Sequence, residues 1–160
     1  MLPTVITTGA LPEREQFAFW REACAEGLLG LRPEPPGGRS GPFRAAMTAK
    51  VAHGVHRMDF ESDPHEVERG RREIGRVPWN ACMIYRQLGP ASLFTRERER
   101  DEVLMRPGDL MVTDTDVPFG TRSEESYRHR VWLLPRAVLE PHLPADRLPL
   151  SVHLPAQGGL

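Results

Sequence analysis

Two kinds of side chain in this sequence have the types and spacing that bear on chemistry. The first are arginines. Arg69, Arg71, Arg72 and Arg76 crowd together. An arginine among strand residues can point into a cavity and grip a carboxylate with both arms of its fork. Arg69 is one candidate for such a clamp and Arg86 is the other. A second arginine run, Arg96-Glu97-Arg98-Glu99-Arg100, alternates strictly. On a strand that alternation puts the arginines on one face and the glutamates on the other, so it reads as a hairpin arm standing in water. The second kind are histidines. His53-Gly54-Val55-His56, with Glu61 nearby, is the closest approach to a metal cluster. On a strand these two imidazoles face opposite ways, and only a turn at Gly54 would bring them together. We read them as polar strand residues and expect no bound metal.

Nucleophilic and phosphate-transfer chemistry find no support. There is no G-x-S-x-G, and Cys24 and Cys82 each fall in an apolar setting that suits core thiols. Neither has a second Cys or a His at zinc-finger spacing. The run Gly37-Gly38-Arg39-Ser40-Gly41 lacks the strand before it and the helix after it that a phosphate cradle needs. The expectation is a chain that is not an enzyme and carries no cofactor.

The elements that would position these residues follow from periodicity. Phe17, Trp20, Cys24, Leu28 and Leu31 recur at helical spacing, which predicts an amphipathic helix over 12–29. Phe17, Phe19 and Trp20 are expected to seal one end of the fold. A Pro/Gly-rich loop over 32–42 follows. From 43 to 134, seven or eight short β-compatible runs are separated by turn residues, including a run from His65 to Glu73. They predict a mainly β fold, an antiparallel barrel or sandwich. A short helix is expected over 135–143, then a linker over 144–160. Trp79, Ala81, Met83 and Tyr85 would share one strand face, and Asn80, Cys82, Ile84 and Arg86 the other. Non-helical aromatics, joined by Met83, mark the walls of a ligand pocket: Met83, Tyr85, Phe94, Phe119 and Trp132, with Arg69 or Arg86 as the clamp. A lumen packed shut by Leu, Val and Met, with both arginines fully exposed and no cavity above about 100 Å³, would exclude ligand binding inside the barrel.

Composition narrows the classes. The chain has 160 residues, enough for one domain, and a formal net charge of −1. A near-neutral chain is a poor nucleic-acid or membrane binder by charge alone. Its start lacks the basic and apolar segments of a signal peptide, and no apolar run approaches the length of a membrane span. A cytoplasmic protein with two reduced thiols is expected.

An ordered set of segments carries a family resemblance. It comprises Glu13 to Trp20, Val67-Glu68-Arg69, Gln87-Leu88-Gly89, Leu104-Met105-Arg106-Pro107-Gly108-Asp109-Leu110, Asp114 to Phe119, and Leu133-Leu134-Pro135-Arg136-Ala137-Val138-Leu139. This set resembles the N-terminal, cupin-like ligand-binding domain of AraC/XylS-type transcriptional regulators, from about Thr7 to Leu154. The resemblance implies a cupin-like barrel with an N-terminal helix and a short C-terminal helix. It implies an effector-binding regulatory domain for a small, carboxylate or aromatic, molecule. DNA would be reached only through a C-terminal helix-turn-helix domain that this chain lacks, and dimerisation would belong to the full-length protein. Metal-binding cupins place a His shortly after the turn equivalent to Pro107-Gly108-Asp109, where this chain has Leu110, Met111 and Val112. That departure favours sensing over catalysis. The competing readings are a metal-dependent isomerase or oxygenase of cupin type, and a stand-alone interaction module that uses the charged hairpin arm.

Overall fold

A computed structural model describes residues 3–27, 29–38, 41–96, 101–142 and 151–156. Residues 97–100 of the alternating charge run, and 143–150 and 157–160 of the tail, lie outside the described residues. The chain runs β1 (Thr4–Thr7), α1 (Glu13–Glu22), β2 (Arg32–Glu34), β3 (Ala45–Ala52), β4 (Val55–Ser62), β5 (Glu66–Arg69), α2 (Arg71–Arg76), β6 (Ala81–Gln87), β7 (Ser92–Arg96), β8 (Asp101–Met105), β9 (Leu110–Asp114), β10 (Phe119–Arg122), β11 (Tyr127–Pro135), α3 (Arg136–Leu139) and β12 (Ser151–Leu154). One sheet has the order β1-β3-β4-β11-β6-β9-β12, and the other β2-β5-β10-β7-β8. Every strand pair is antiparallel.

The core lies between the two sheets because alternate residues of each strand are apolar. On β6, Ala81, Met83 and Tyr85 are buried while Arg86 is exposed. Their partners on β11 are Pro135, Leu133 and Val131. From the second sheet, Phe94, Met105 and Phe119 fill the same layer. Phe94 and Phe119 stack with ring centroids 5.4 Å apart. Burying side chains of this size contributes roughly 1.5–3 kcal/mol each.

Helix α1 closes one end. Glu13 and Glu15 sit in its first turn, where the helix dipole favours negative charge. Gln16 is buried, yet both ends of its amide are used: it donates to the Leu11 carbonyl at 3.1 Å and accepts from the Phe43 N–H at 2.8 Å. Trp20 is fully buried against Phe43, Phe60 and His65. The helix is shorter than the 12–29 expected from periodicity. It ends at Glu22 and passes into a π-helical turn over Ala23–Gly27. Of the three aromatics expected to seal the barrel, Trp20 does so and Phe17 packs at the margin, but Phe19 points outward at 38% exposure.

Three local expectations are corrected, and Thr4–Thr7, ahead of the first expected element, forms a strand paired with β3. The loop over 32–42 contains β2, which pairs with β5 and extends the second sheet. The run from His65 to Glu73 is not all strand. It breaks at Gly70, whose N–H donates to the Glu73 carboxylate at 3.1 Å, and helix α2 begins. The tail over 144–160 is not wholly linker, because Ser151–Leu154 pairs with β9. Asp109 fixes that strand: its carboxylate accepts from the N–H groups of Arg106 and Ala156 at 2.9 and 2.8 Å and lies 3.0 Å from His153 Nε2.

Candidate functional site

The turn between β3 and β4 is built from His53 and Gly54, both at positive φ (50° and 77°). That geometry suits a two-residue hairpin and settles where the two histidines go. His53 stays in the turn, while His56 enters β4 and packs edge-on against Trp79, 5.1 Å between centroids. Among the described residues, no group of three or more His, Cys, Asp or Glu side chains lies close enough together to hold a metal ion. Cys24 and Cys82 are buried free thiols, and burial pushes both pKa values up.

The space between the sheets is polar in an unexpected way. His129 lies on β11 in phase with Tyr127, Val131 and Leu133, so it points inward. Its ring is sandwiched between Phe60 and Tyr85, with centroids 4.7 and 4.8 Å away. Burial lowers its pKa to about 3. His65, 3% exposed, is likewise lowered to about 4 by burial. Burial raises the Tyr85 and Tyr127 pKa values, Tyr127 to about 12. At neutral pH this cluster therefore carries no charge. Tyr85 donates to Gln87 Oε1 at 2.7 Å, and the Ser92 hydroxyl donates to the same oxygen at 2.9 Å. His129 Nδ1 and Trp20 Nε1 are buried with no hydrogen-bond partner.

Trp20, His65, Tyr85 and His129 line one interior cavity, together with Met83 and Phe119. Cys24, Leu29 and Leu31 close it from the π-helical turn and the segment after it. The cavity is about 30 Å³. That is room for a water and less than about 100 Å³, but the lining is largely aromatic and histidine and Arg69 is buried, so a ring could enter only if the walls move apart.

The sequence-predicted site residues therefore divide. Met83, Tyr85 and Phe119 meet at the cavity. Phe94 is fully buried behind them, against Tyr85 and Phe119. Trp132 does not join them. It stands opposite Ile84 and Arg57 on the outer face of its sheet, with the Arg130 guanidinium 5.8 Å from its ring. Directly paired residues share a face, so a wall residue on β11 had to be in phase with Leu133. Arg86 is on the same outer face, exposed. Arg69 is fully buried, but its guanidinium is already committed. It donates to the carbonyls of Thr115 and Val77 at 2.8 Å each and to that of Leu29, and it lies 3.8 Å from Asp116. Neither arginine is among the residues that line the cavity. The histidines were the residues missed; the signal was there, since His129 shares the period-2 phase of Val131 and Leu133.

No protein-family model matches the chain. In sequence it is similar to an uncharacterized protein in the nit 5' region of Bacillus sp. (strain OxB-1), 22% identical over 139 residues, which is 86% of this chain and 52% of that protein. The chain thus spans about half the length of the curated relative it matches. In structure it superposes on the AraC-like transcriptional activator CuxR with a TM-score of 0.75 at 18% identity, over 88% of this chain and 49% of the activator. A cupin-superfamily protein from Desulfitobacterium hafniense DCB-2 aligns with a TM-score of 0.47 at 13% identity, over 57% of this chain and 77% of its own. The likeness to the activator is one of fold, here two antiparallel sheets with a helix at the N-terminal side. No helix among the described residues is long and apolar enough to cross a membrane.

Proposed function

We propose that this chain is the effector-sensing regulatory part of an AraC-like transcriptional regulator, reaching DNA through another part of a longer protein. The fold shared with an AraC-like activator supports the regulatory reading, and so does a match spanning about half of each relative. The observation that carries the choice of site is the pair of unpartnered polar atoms, His129 Nδ1 and Trp20 Nε1, on residues that line the interior cavity. An unsatisfied buried polar group costs about 1–3 kcal/mol, and a ligand that bonds to it recovers that cost.

The effector class follows from the walls. They are aromatic and uncharged, and both arginines once favoured as clamps lie elsewhere. A carboxylate entering here would lose its hydration without gaining a counter-charge. A small neutral aromatic molecule with a hydrogen-bonding group suits the walls better. Entry requires the π-helical turn over Ala23–Gly27, which carries Cys24, to move outward, while Leu29 stays tied to Arg69. A π-helical turn suits this part, because such turns are uncommon and recur at functional sites. Sensing then consists of preferring the arrangement with the cap displaced.

The experiment is titration of the chain with indole and benzamide against benzoate, followed by thermal unfolding and by intermolecular NMR contacts. Saturable stabilisation by the neutral rings, with contacts to the Met83 methyl group and the Phe119 ring, is expected. Stabilisation by benzoate alone, or contacts confined to the outer surface, overturns the reading. In the longer protein, the bound ring must change DNA affinity, whereas the chain alone, at net charge −1, should show no sequence-selective DNA binding.

A further inference from the structure

The arginine cluster at 69–76 has a second face that the interior site leaves unexplained. Arg72 and Arg76 on α2, Arg21 on α1 and Arg32 on β2 line one cleft of about 160 Å³, open to solvent, with Gly30 and Leu31 in its walls. Glu73 is the single acidic side chain among the lining residues. Four positive groups against one negative leave a local +3, in a chain whose net charge is −1. Some of that charge is compensated from outside the cleft. Arg32 bonds to Glu68, and Arg21 lies 3.7 Å from Glu34 with its guanidinium over the Phe17 ring. Glu73 is turned to the Gly70 N–H. Arg72 and Arg76 have no ion-pair partner among the described residues, and both are exposed.

The cleft's walls are held in place before anything binds. Arg69, buried beneath it, donates to the Leu29 carbonyl on one side and to the Val77 carbonyl on the other. It thereby ties the segment after the π-helical turn to the end of α2. Gly30 adopts φ +65°, and a Cβ there would meet Val77 Cβ at 2.9 Å. The close approach of these walls thus depends on the absence of a side chain.

We propose that this cleft binds the phosphate group of a small molecule, with Arg72 and Arg76 as its principal ligands and Arg21 and Arg32 flanking them. A single carboxylate is satisfied by one arginine fork; two free guanidiniums beside two partly compensated ones match a dianion with three acceptor oxygens. Leu31 gives the site a consequence. It lines both this cleft and the interior cavity, so a phosphate here bears on the segment that closes the barrel.

The test uses inorganic phosphate as the probe and the chain as it stands. Phosphate is titrated by calorimetry at constant ionic strength maintained with sodium chloride, and succinate is titrated in parallel. Saturable phosphate binding is expected, weakened at least about tenfold in the Arg72→Ala/Arg76→Ala double variant. Both positions are exposed, so the variant should unfold at the wild-type temperature, which thermal unfolding checks. Arg14→Ala, on an exposed part of α1 outside the cleft, should bind as the wild type does. Absence of saturable binding, or equal binding by the double variant, overturns the site. Succinate binding as tightly as phosphate overturns the choice of phosphate over carboxylate. None of these outcomes depends on whether a neutral ring enters the barrel.

Discussion

Leu31 has the barrel interior on one side and the arginine-lined cleft on the other. The interior is polar without being charged: its histidines are held neutral and its tyrosines protonated by burial. The cleft is charged and open to water. Between them lies Arg69, which is both charged and buried. The three cases follow one rule. A charge is tolerated inside only where a full set of acceptors surrounds it, as the carbonyls of Leu29, Val77 and Thr115 surround Arg69. Where acceptors are lacking the interior uses neutral groups, and the remaining positive charge stays at the surface.

The largest expected effect comes from breaking the middle case. Arg69→Met should lower stability by about 3–5 kcal/mol, because several buried carbonyls and Asp116 lose their partner. Arg69→Lys should recover little of it, since an ammonium is a point charge without the fork. Urea unfolding of the ligand-free protein measures both. A loss below about 1 kcal/mol would return Arg69 to the role of ligand clamp, because removing a clamp leaves the empty protein as stable as before.

The next effect is a dependence on pH that belongs to the interior alone. His65 and His129 have folded pKa values lowered to about 4 and about 3, against 6.5 for the free group. Below pH 6.5 the unfolded chain takes up protons that the folded chain refuses, so stability must fall as pH falls through that window. It is fully present above pH 6.5 and is lost progressively down to the folded values. For His65 the loss is on the order of 3 kcal/mol. His65→Phe should flatten the slope of unfolding free energy between pH 6.5 and 4. An unchanged slope would mean that carboxylates elsewhere set the acid limit.

How far this division was legible in the sequence depends on the residue. The two-sheet fold and the sealing role of Trp20 follow from periodicity, which is a local property, whereas Met83 and Tyr85 are marked as walls by residue type and not by phase, since both faces of β6 carry apolar residues. The side of Trp132 does not follow from periodicity, because an aromatic ring suits either face of a strand, and the face depends on pairing with Ile84. Arg69 and Arg86 were equal candidates for an inward arginine, and nothing local separates them: the acceptors that hold Arg69 come from Leu29, Val77 and Thr115, far apart in the chain. The strand at Ser151–Leu154 was missed for a similar reason: Asp109, a residue of a distant turn, anchors it.

A smaller effect probes the shared wall. Gly30→Ala puts a Cβ at a left-handed φ, 2.9 Å from Val77 Cβ and 3.1 Å from Arg69 Nη1. The cost should be about 1–3 kcal/mol, seen in thermal unfolding. Phosphate binding should weaken with it, because the walls that Arg69 ties together are pushed apart. Unchanged phosphate affinity would show that the cleft does not depend on this close approach.

The smallest effect is expected at Arg86, and its smallness is informative. Arg86 and Arg69 entered on equal terms as clamps for a carboxylate. The two arginines now stand at opposite extremes, one exposed on the outer face of β6 and the other with no exposed surface at all. Arg86→Ala should change stability by less than about 0.5 kcal/mol, as surface substitutions away from special features do. It should also leave binding of neutral rings and of phosphate unchanged, since Arg86 lines neither the cavity nor the cleft. Calorimetry with both probes on this variant provides the measurement. A loss of ring binding on removal of Arg86 would require β6 to present its outer face to the ligand. That would mean a shift of one residue in its pairing with β11, which would turn Met83 and Tyr85 outward and dismantle the neutral interior.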